Sequence, residues 1–430
     1  MTIWLICPYG PIPGEGWRDY RYMIIGETLA EAGHNVIWWT SSFSHHFKRF
    51  RSKQWEDRAV GAGFLIRLVP AFGYSRNISL ARVWNELLFA GRIYLRARRE
   101  LRPDLIIAAD PPLAIGRMAL WLAHHCKCPL VFDVMDLWPE LFTLALPKRL
   151  RSWAPLIFFP LYAMRKRNHA QADGLFALSE SYRAKMIAQI PDRDTVPSAT
   201  IFNGIDVESF RSTMRGQSSG FTLPLRNKDT VRAVYAGSLG ENYDIITLMK
   251  AAATLAKGAV PIQIVIAGVG PLLTELQNFI REKRLETLVY VGRLSPEQLP
   301  CLYSQCEIGI SAYSPVSTVG MPDKAYDYMA AGLPIVNSLR GELADLLETR
   351  QIGLPYLAGD PESLATALRR LTFDEKLRTG MARRSFATAG EFDRKVQYGA
   401  LPDLLQQACL HYSETHTCSC TSNWGGAPQL

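Results

Sequence analysis

Residues 320–336 read G-M-P-D-K-A-Y-D-Y-M-A-A-G-L-P-I-V, which is the order of a loop, a short helix, a stop and a buried strand. Gly320 and Pro322 make a turn, the helix opens at Pro322 and Asp323, and Lys324 falls in its first turn. Gly332, Leu333 and Pro334 end the helix before the apolar run that starts at Ile335. Working outward, short apolar β-prone runs alternate with helical stretches along nearly the whole chain. In the first half the strands are expected at 3–7, 36–40, 64–69, 105–109, 130–134, 174–178 and 200–202. In the second half they are expected at 232–236, 263–267, 289–291, 308–311 and 335–338. This alternation predicts parallel sheets covered by helices, an α/β class.

At 430 residues the chain is too long for one ordinary doubly wound domain and fits two of about 200 residues each. Between 206 and 230 it turns polar, with Arg215, Gly216, Gln217, Ser218, Ser219 and Gly220 in succession, which is linker composition. Domains are therefore expected at 1–207 and 208–388, followed at 389–430 by a helix that returns to the first domain and a flexible polar tail.

The composition, 48% hydrophobic and 20% charged, is that of a folded globular protein, and the net charge of +8 calls for an anionic partner. Nucleic acid would need a basic face interleaved with aromatics; outside 96–102 and 148–167 the cations are dispersed, so none is expected. The first residues, from Met1 to Pro8, enter an apolar run with no basic leader and no small-residue cleavage site, which points to a cytoplasmic protein. The longest apolar run, 153–164, is twelve residues, short of the roughly 20 that span a bilayer. Eight scattered cysteines form neither a disulfide framework nor a C-x-x-C pair. His411, His416, Cys418 and Cys420 could take a soft metal, although a frayed terminus explains them as well.

Four stretches carry candidate chemistry. The first βα turn holds Gly10, Gly14 and Gly16 with Arg18 and Arg21 following, glycines that let a backbone approach a ligand ahead of a helix N-terminus. It is not G-x-G-x-x-G and lacks a ribose-binding acid about 20 residues on, which argues against a nicotinamide cofactor. Residues 132–141 place Asp133, Asp136 and Glu140 at a strand end, where they can bind sugar hydroxyls, cap the next helix or hold a divalent ion. A-G-S-L-G at 236–240 and A-G-V-G-P at 267–271 put Gly237, Ser238, Gly268 and Gly270 at two strand ends of one sheet, a possible nucleotide bed. The opening stretch supplies Gly320, Met321, Pro322, Asp323, Lys324 and Asp327: a helix N-terminus with a lysine beside it suits a diphosphate, and Asp327 can accept bonds from hydroxyls. An amphipathic helix with incidental charges is the alternative.

From residue 3 to about 392 the chain resembles the retaining glycosyltransferases of family 4 with the GT-B fold, two Rossmann-like domains facing across a cleft. The marks are the Gly-rich first loop with Arg18, G-H-N-V at 33–36, D-L-W-P-E at 136–140, N-G-I-D at 203–206 and the 323–336 block. D-L-W-P-E and D-K-A-Y-D-Y-M-A-A-G together resemble the subgroup that builds bacterial surface polysaccharide on a lipid carrier. The resemblance implies transfer of a sugar from a nucleotide-sugar donor, UDP-linked as a first choice, to a lipid-linked or polysaccharide acceptor with retention, and no metal or cofactor. It makes Asp327, Lys324 and Asp136 the catalytic candidates, and Arg18, Asp110, Asp136 and Glu140 the acceptor-binding ones. Donor contacts would come from Gly14, Gly16, Gly237, Ser238, Gly268, Gly270 and the residues from Gly320 to Lys324, with Asp327 on the ribose. Two departures stand out: Val319 occupies the place of the family's first donor-binding glutamate, and Ser238 with 242–244 replaces an Arg and Lys pair. A catalytically silent GT-B subunit that binds a partner, or a sugar-nucleotide epimerase, are the rival functions.

Lys148, Arg149 and Arg151 precede the apolar run 153–164 and Arg165, Lys166 and Arg167 follow it, a pattern of a helix lying in the headgroup zone of an anionic membrane, on the inner face of the cytoplasmic membrane if the acceptor is lipid-linked. A core helix with solvated basic ends is the alternative.

Overall fold

A computed structural model describes residues 1–18, 20–76, 79–190, 195–216 and 221–417. The chain forms two compact units: Met1–Ile201 together with the stretch that begins at Tyr398, and Phe202–Gln397. Of the expected linker, residues 217–220 lie outside the described residues, and Arg215 ends a helix, Val207–Arg215, capped by the Asp206 carboxylate.

Unit 1 is built on an eight-stranded sheet: β1 Thr2–Ile6, β2 Asn35–Ser41, β3 Glu56–Gly61, β4 Phe64–Val69, β5 Leu105–Asp110, β6 Leu130–Val134, β7 Gly174–Ala177 and β8 Ser198–Thr200. The order is β8-β7-β6-β5-β1-β2-β4-β3, parallel except for β3. Six of the seven parallel strands fall where the apolar runs place them; the last is Ser198–Thr200, which shares only Thr200 with the expected 200–202. The central strands are covered on both faces, and every residue of β5 is buried. Helices α1 (Arg21–Glu31), α2 (Leu80–Ala97), α3 (Leu113–Cys126) and α4 (Phe159–His169) pack around the sheet. Arg21 opens α1 but turns inward: its Nε meets both carboxylate oxygens of Asp133 at 2.9 Å and its Nη1 donates to the Ile201 carbonyl at 2.7 Å. Asp133 is thus a partner of α1 rather than a ligand group. Helix Leu401–Thr417 joins the same core through Leu401, Leu404, Leu405 and Ala408. Cys418 and Cys420 of the suggested soft-metal group lie outside the described residues.

Unit 2 holds a six-stranded parallel sheet: β9 Val231–Ala236, β10 Ile262–Ala267, β11 Leu288–Tyr290, β12 Ile308–Ser311, β13 Ile335–Asn337 and β14 Gly353–Pro355, in the order β11-β10-β9-β12-β13-β14. Successive strands step away from β9 on one side and from β12 on the other, so the topological switch point lies between them. Ligands of open α/β sheets bind beyond the carboxyl ends of the strands at that point. Helix α5 (Ile245–Lys257) follows β9 and helix α6 (Asp323–Ala331) follows β12.

Candidate active site

Helix α6 is fixed under the switch point by Tyr328. Its hydroxyl receives the Ala236 amide at 3.3 Å and lies 3.2 Å and 3.1 Å from the Val234 and Ile310 carbonyls. A Cβ at Gly309 would lie 2.5 Å from the Tyr328 ring, so β12 needs its glycine there. Gly332, at φ 71°, ends the helix in the left-handed conformation expected of a C-terminal glycine.

Lys324, in the first turn, is 8% exposed. Its ammonium sits 4.0 Å from the ring centre of Tyr235 and 5.0 Å from those of Tyr243 and Tyr313, with no hydrogen-bond partner for Nζ among the described residues. Three tyrosine faces attract a cation, yet burial dominates and lowers its pKa to about 7, with the Asp327 charge opposing that shift. A Cβ at Gly237 would stand 2.9 Å from Nζ, so the lysine reaches the carboxyl end of β9. Asp327, 3% exposed, takes a bond from the Tyr303 hydroxyl at 3.4 Å. Asp323 stands exposed at the helix start and accepts from Asn203 Nδ2 at 3.0 Å, which ties the N-G-I-D segment to α6. Pro322 is the residue before the helix, the Gly320 carbonyl accepts from the Leu343 amide at 3.3 Å, and Met321 and Val319 pack against the core. The place of the family's first glutamate is therefore apolar.

The glycines at the other strand ends have a packing role. A Cβ at Gly268 would lie 1.8 Å from the Gly237 carbonyl oxygen, and one at Gly270 would lie 2.4 Å from that of Leu239. The two turns therefore stack backbone on backbone, with Leu239 N bonded to the Val269 carbonyl at 3.0 Å. The side-chain space at these two glycines is filled by main chain; Ser238 is exposed, and its carbonyl accepts from the Tyr235 hydroxyl at 2.7 Å. Asp244, in the segment that replaces the family's basic pair, binds the Tyr356 hydroxyl and the Gly359 amide.

In unit 1 the strand order switches between β1 and β5, and a polar cluster gathers beyond nearby strand ends. The Tyr9 hydroxyl donates to Glu86; Arg82 Nε meets the same carboxylate at 2.8 Å while its guanidinium lies 4.9 Å from the ring centres of Tyr9 and Trp138. His45 Nδ1 and the Tyr74 hydroxyl share a bond of 2.6 Å, and burial with Lys48 and Arg82 nearby pulls the His45 pKa down to about 3, keeping it neutral. Asp136 is half-buried, and desolvation pushes its carboxyl up to about 6 despite a bond from the Leu137 amide and the charge of Arg82.

The other expected acceptor residues have protein partners. Asp110 is buried against His169, Nε2 to Oδ2 at 2.5 Å. Burial would raise the Glu140 carboxyl, but Arg165 at 2.6 Å and Lys185 at 2.6 Å outweigh it and hold it below its usual range. Gly14 and Gly16 stand in unit 1, at φ 85° and 70°, in open space, on a loop anchored by Glu15 on Arg51 at 2.7 Å. Arg18 follows on the same loop, half-buried. The tyrosines around Lys324 and the cluster of Tyr9, His45, Tyr74, Arg82 and Glu86 carry no motif in the sequence: Tyr235 stands within β9 and Arg82 and Glu86 on α2.

Residues 22–197 match the glycosyl transferase 4-like domain and residues 230–374 the glycosyl transferases group 1 domain. No protein of curated function matches the chain by sequence. Among solved structures it is similar to a sucrose-phosphate synthase from Thermosynechococcus elongatus, at 17% identity and TM-score 0.72 over 94% of this chain and 98% of that one. It is also similar to HepE from Anabaena in complex with UDP-glucose, at 15% identity and TM-score 0.63 over 94% and 99%. A third is WaaG, a glycosyltransferase involved in lipopolysaccharide biosynthesis, at 15% identity and TM-score 0.60 over 93% and 98%. At such identities the likeness is one of fold, and with the two domain matches it identifies the chain: a glycosyltransferase 4-like domain followed by a glycosyltransferases group 1 domain, the two Rossmann-like halves of a GT-B glycosyltransferase.

Proposed function

We propose that the protein transfers a sugar from a UDP-linked donor, held by unit 2, to a lipid-linked or polysaccharide acceptor held by unit 1, with retention of anomeric configuration. One observation carries the reading: an ammonium buried among three tyrosines, in the first turn of α6 and against Gly237, at the switch point of the sheet. Such a lysine is costly to keep charged, and a diphosphate at the adjoining helix N-terminus would supply the missing counter-charge. UDP is chosen because the similar HepE structure holds UDP-glucose; a lipid-borne acceptor is favoured by the likeness to WaaG and the D-L-W-P-E segment.

In the reaction the bond from the sugar C1 to the diphosphate oxygen breaks, the acceptor oxygen bonds to C1 on the same face, and the leaving diphosphate takes the acceptor's hydroxyl proton. Lys324 and the α6 amides stabilise the charge left on the diphosphate. The Asp327 charge helps keep Lys324 protonated, and Asp323 with the Gly320–Pro322 backbone faces the nucleotide. In unit 1, Asp136 accepts a bond from the incoming hydroxyl, with Arg82 and Trp138 beside it. No step uses a metal ion or a cofactor.

Apolar Val319 favours a second reading, a catalytically silent GT-B subunit that binds a partner. Thermal shift against UDP, GDP and ADP sugars, followed by transfer from the best binder to a membrane extract, separates the two. At 100 times its dissociation constant a ligand stabilises by about 2.7 kcal/mol. Binding with transfer supports the enzyme, whereas binding without transfer, or no shift at all, removes the enzyme and supports the silent subunit.

A further inference from the structure

We propose that unit 1 docks, by one apolar and basic face, on the surface of an anionic lipid bilayer. The face begins on α2. That helix buries Asn85, Glu86, Phe89, Ala90, Ile93 and Ala97 against the domain. On the side opposite, Leu80, Trp84, Leu87 and Leu95 are 79%, 69%, 46% and 66% exposed. Their spacing of three to four residues, or twice that, draws one stripe along a helix of 18 residues, about 27 Å. A helix that only covers a sheet puts polar groups there.

The stripe continues onto neighbouring elements. Tyr94, near the end of α2, meets the ring of Trp121 on α3 edge-on at 6.4 Å, and Trp121 is itself exposed. Beyond it an open groove of about 610 Å³ runs between Arg117 and Trp121 of α3 and Phe159, Ala163 and Arg167 of α4. Exposed Trp153, Leu156 and Ile157 precede Phe159 in the chain. Monomeric proteins rarely leave so much contiguous apolar surface bare without a partner.

The charge around this surface chooses the partner. Between Glu140 and Asp173 the chain has six Lys and Arg and not one Asp or Glu, and α3 has no carboxylate either. Arg165 is spent inside on Glu140, which corrects its place among the expected surface cations, but Arg149, Lys166 and Arg167 are exposed. Just past the end of α2, Arg98 lies 5.3 Å from the ring centre of Tyr94 and Arg99 is exposed beside it. Tryptophan and phenylalanine ringed by cations of one sign suit the headgroup region of an anionic leaflet; a protein partner would more commonly meet mixed charge. No helix among the described residues is long and apolar enough to cross the bilayer, so contact is peripheral. Docking here is independent of which sugar moves.

Co-sedimentation of the full chain with vesicles tests it. Vesicles of equal phosphatidylglycerol and phosphatidylcholine should pellet the protein, pure phosphatidylcholine should leave most of it in solution, and added salt should release it. Lys166→Gln with Arg167→Gln should weaken binding by about 25-fold, from roughly 1 kcal/mol per cation at an anionic surface. Trp121→Ser with Phe159→Ser should weaken it at least tenfold, while far-UV circular dichroism and the thermal shift given by UDP-glucose stay as in the parent protein. Failure of the parent chain to pellet with anionic vesicles, or equal pelleting of both double variants, would overturn the proposal. So would a concentration-dependent dimer that Trp121→Ser with Phe159→Ser dissolves without any vesicle binding, because the face would then be a self-association surface.

Discussion

Replacing Lys324 by methionine should make the protein more stable and less able to bind its donor. The ordinary lysine pKa is about 10.4 and that of Lys324 is about 7, the net of burial against the attraction of Asp327. At pH 7 the charged form therefore costs the fold about 4 kcal/mol relative to the unfolded chain, at about 1.36 kcal/mol per unit with half the sites neutral. That pKa already contains the cation's attraction to Tyr235, Tyr243 and Tyr313, so Lys324→Met should gain up to about 4 kcal/mol. For a unit of this size that is up to about 8–16 °C in melting temperature. The sign of the pH dependence follows from the depressed pKa. The penalty is complete below pH 7 and fades as pH rises toward the unfolded value, so the variant's advantage is largest near pH 6 and vanishes near pH 10. Scanning fluorimetry from pH 6 to 10, with and without UDP, reads both effects. A variant that melts lower than the parent at pH 6, or that keeps the full shift with UDP, refutes the role given to the buried ammonium.

Three further outcomes follow from geometry. Arg21→Met should destabilise unit 1 by about 3–5 kcal/mol in urea unfolding, because Asp133 is left buried without its partner, whereas Arg21→Met with Asp133→Val should recover most of the loss. Gly268→Ala should cost at least about 2 kcal/mol and abolish UDP binding, since its Cβ meets the Gly237 carbonyl at 1.8 Å, while Gly14→Ala, in open space but at positive φ, should cost about 1 kcal/mol and leave UDP binding intact. Asp136 carries its charge only above about pH 6, so transfer should rise through that pH in the parent and lose the inflection in Asp136→Asn; its raised pKa also makes the fold lose stability between about pH 4 and 6, a slope the variant should lack.

The parallel strands were legible because β1, β2, β5 and β9 are apolar runs that only a doubly covered sheet can bury. β3 was not: Glu56, Asp57 and Arg58 make no apolar run, and the strand forms at the sheet edge where Asp57 pairs with Arg67 at 2.7 Å. The start of α6 could be read from Pro322, Lys324 and Gly332, since helix signals are local. The tyrosines around Lys324 could not, because Tyr235, Tyr243 and Tyr313 converge only once β9 and β12 lie side by side. The same holds for Asp133, whose partner Arg21 stands 112 residues away. Gly268 and Gly270 show another limit: a glycine that admits a ligand and one that admits a neighbouring turn look alike in sequence.

The most direct measurement is the position of UDP in a crystal of the complex. The diphosphate should lie within about 3 Å of the amide groups that open α6, beside Lys324 and Gly237. A diphosphate found elsewhere, with the start of α6 unoccupied, would contradict it.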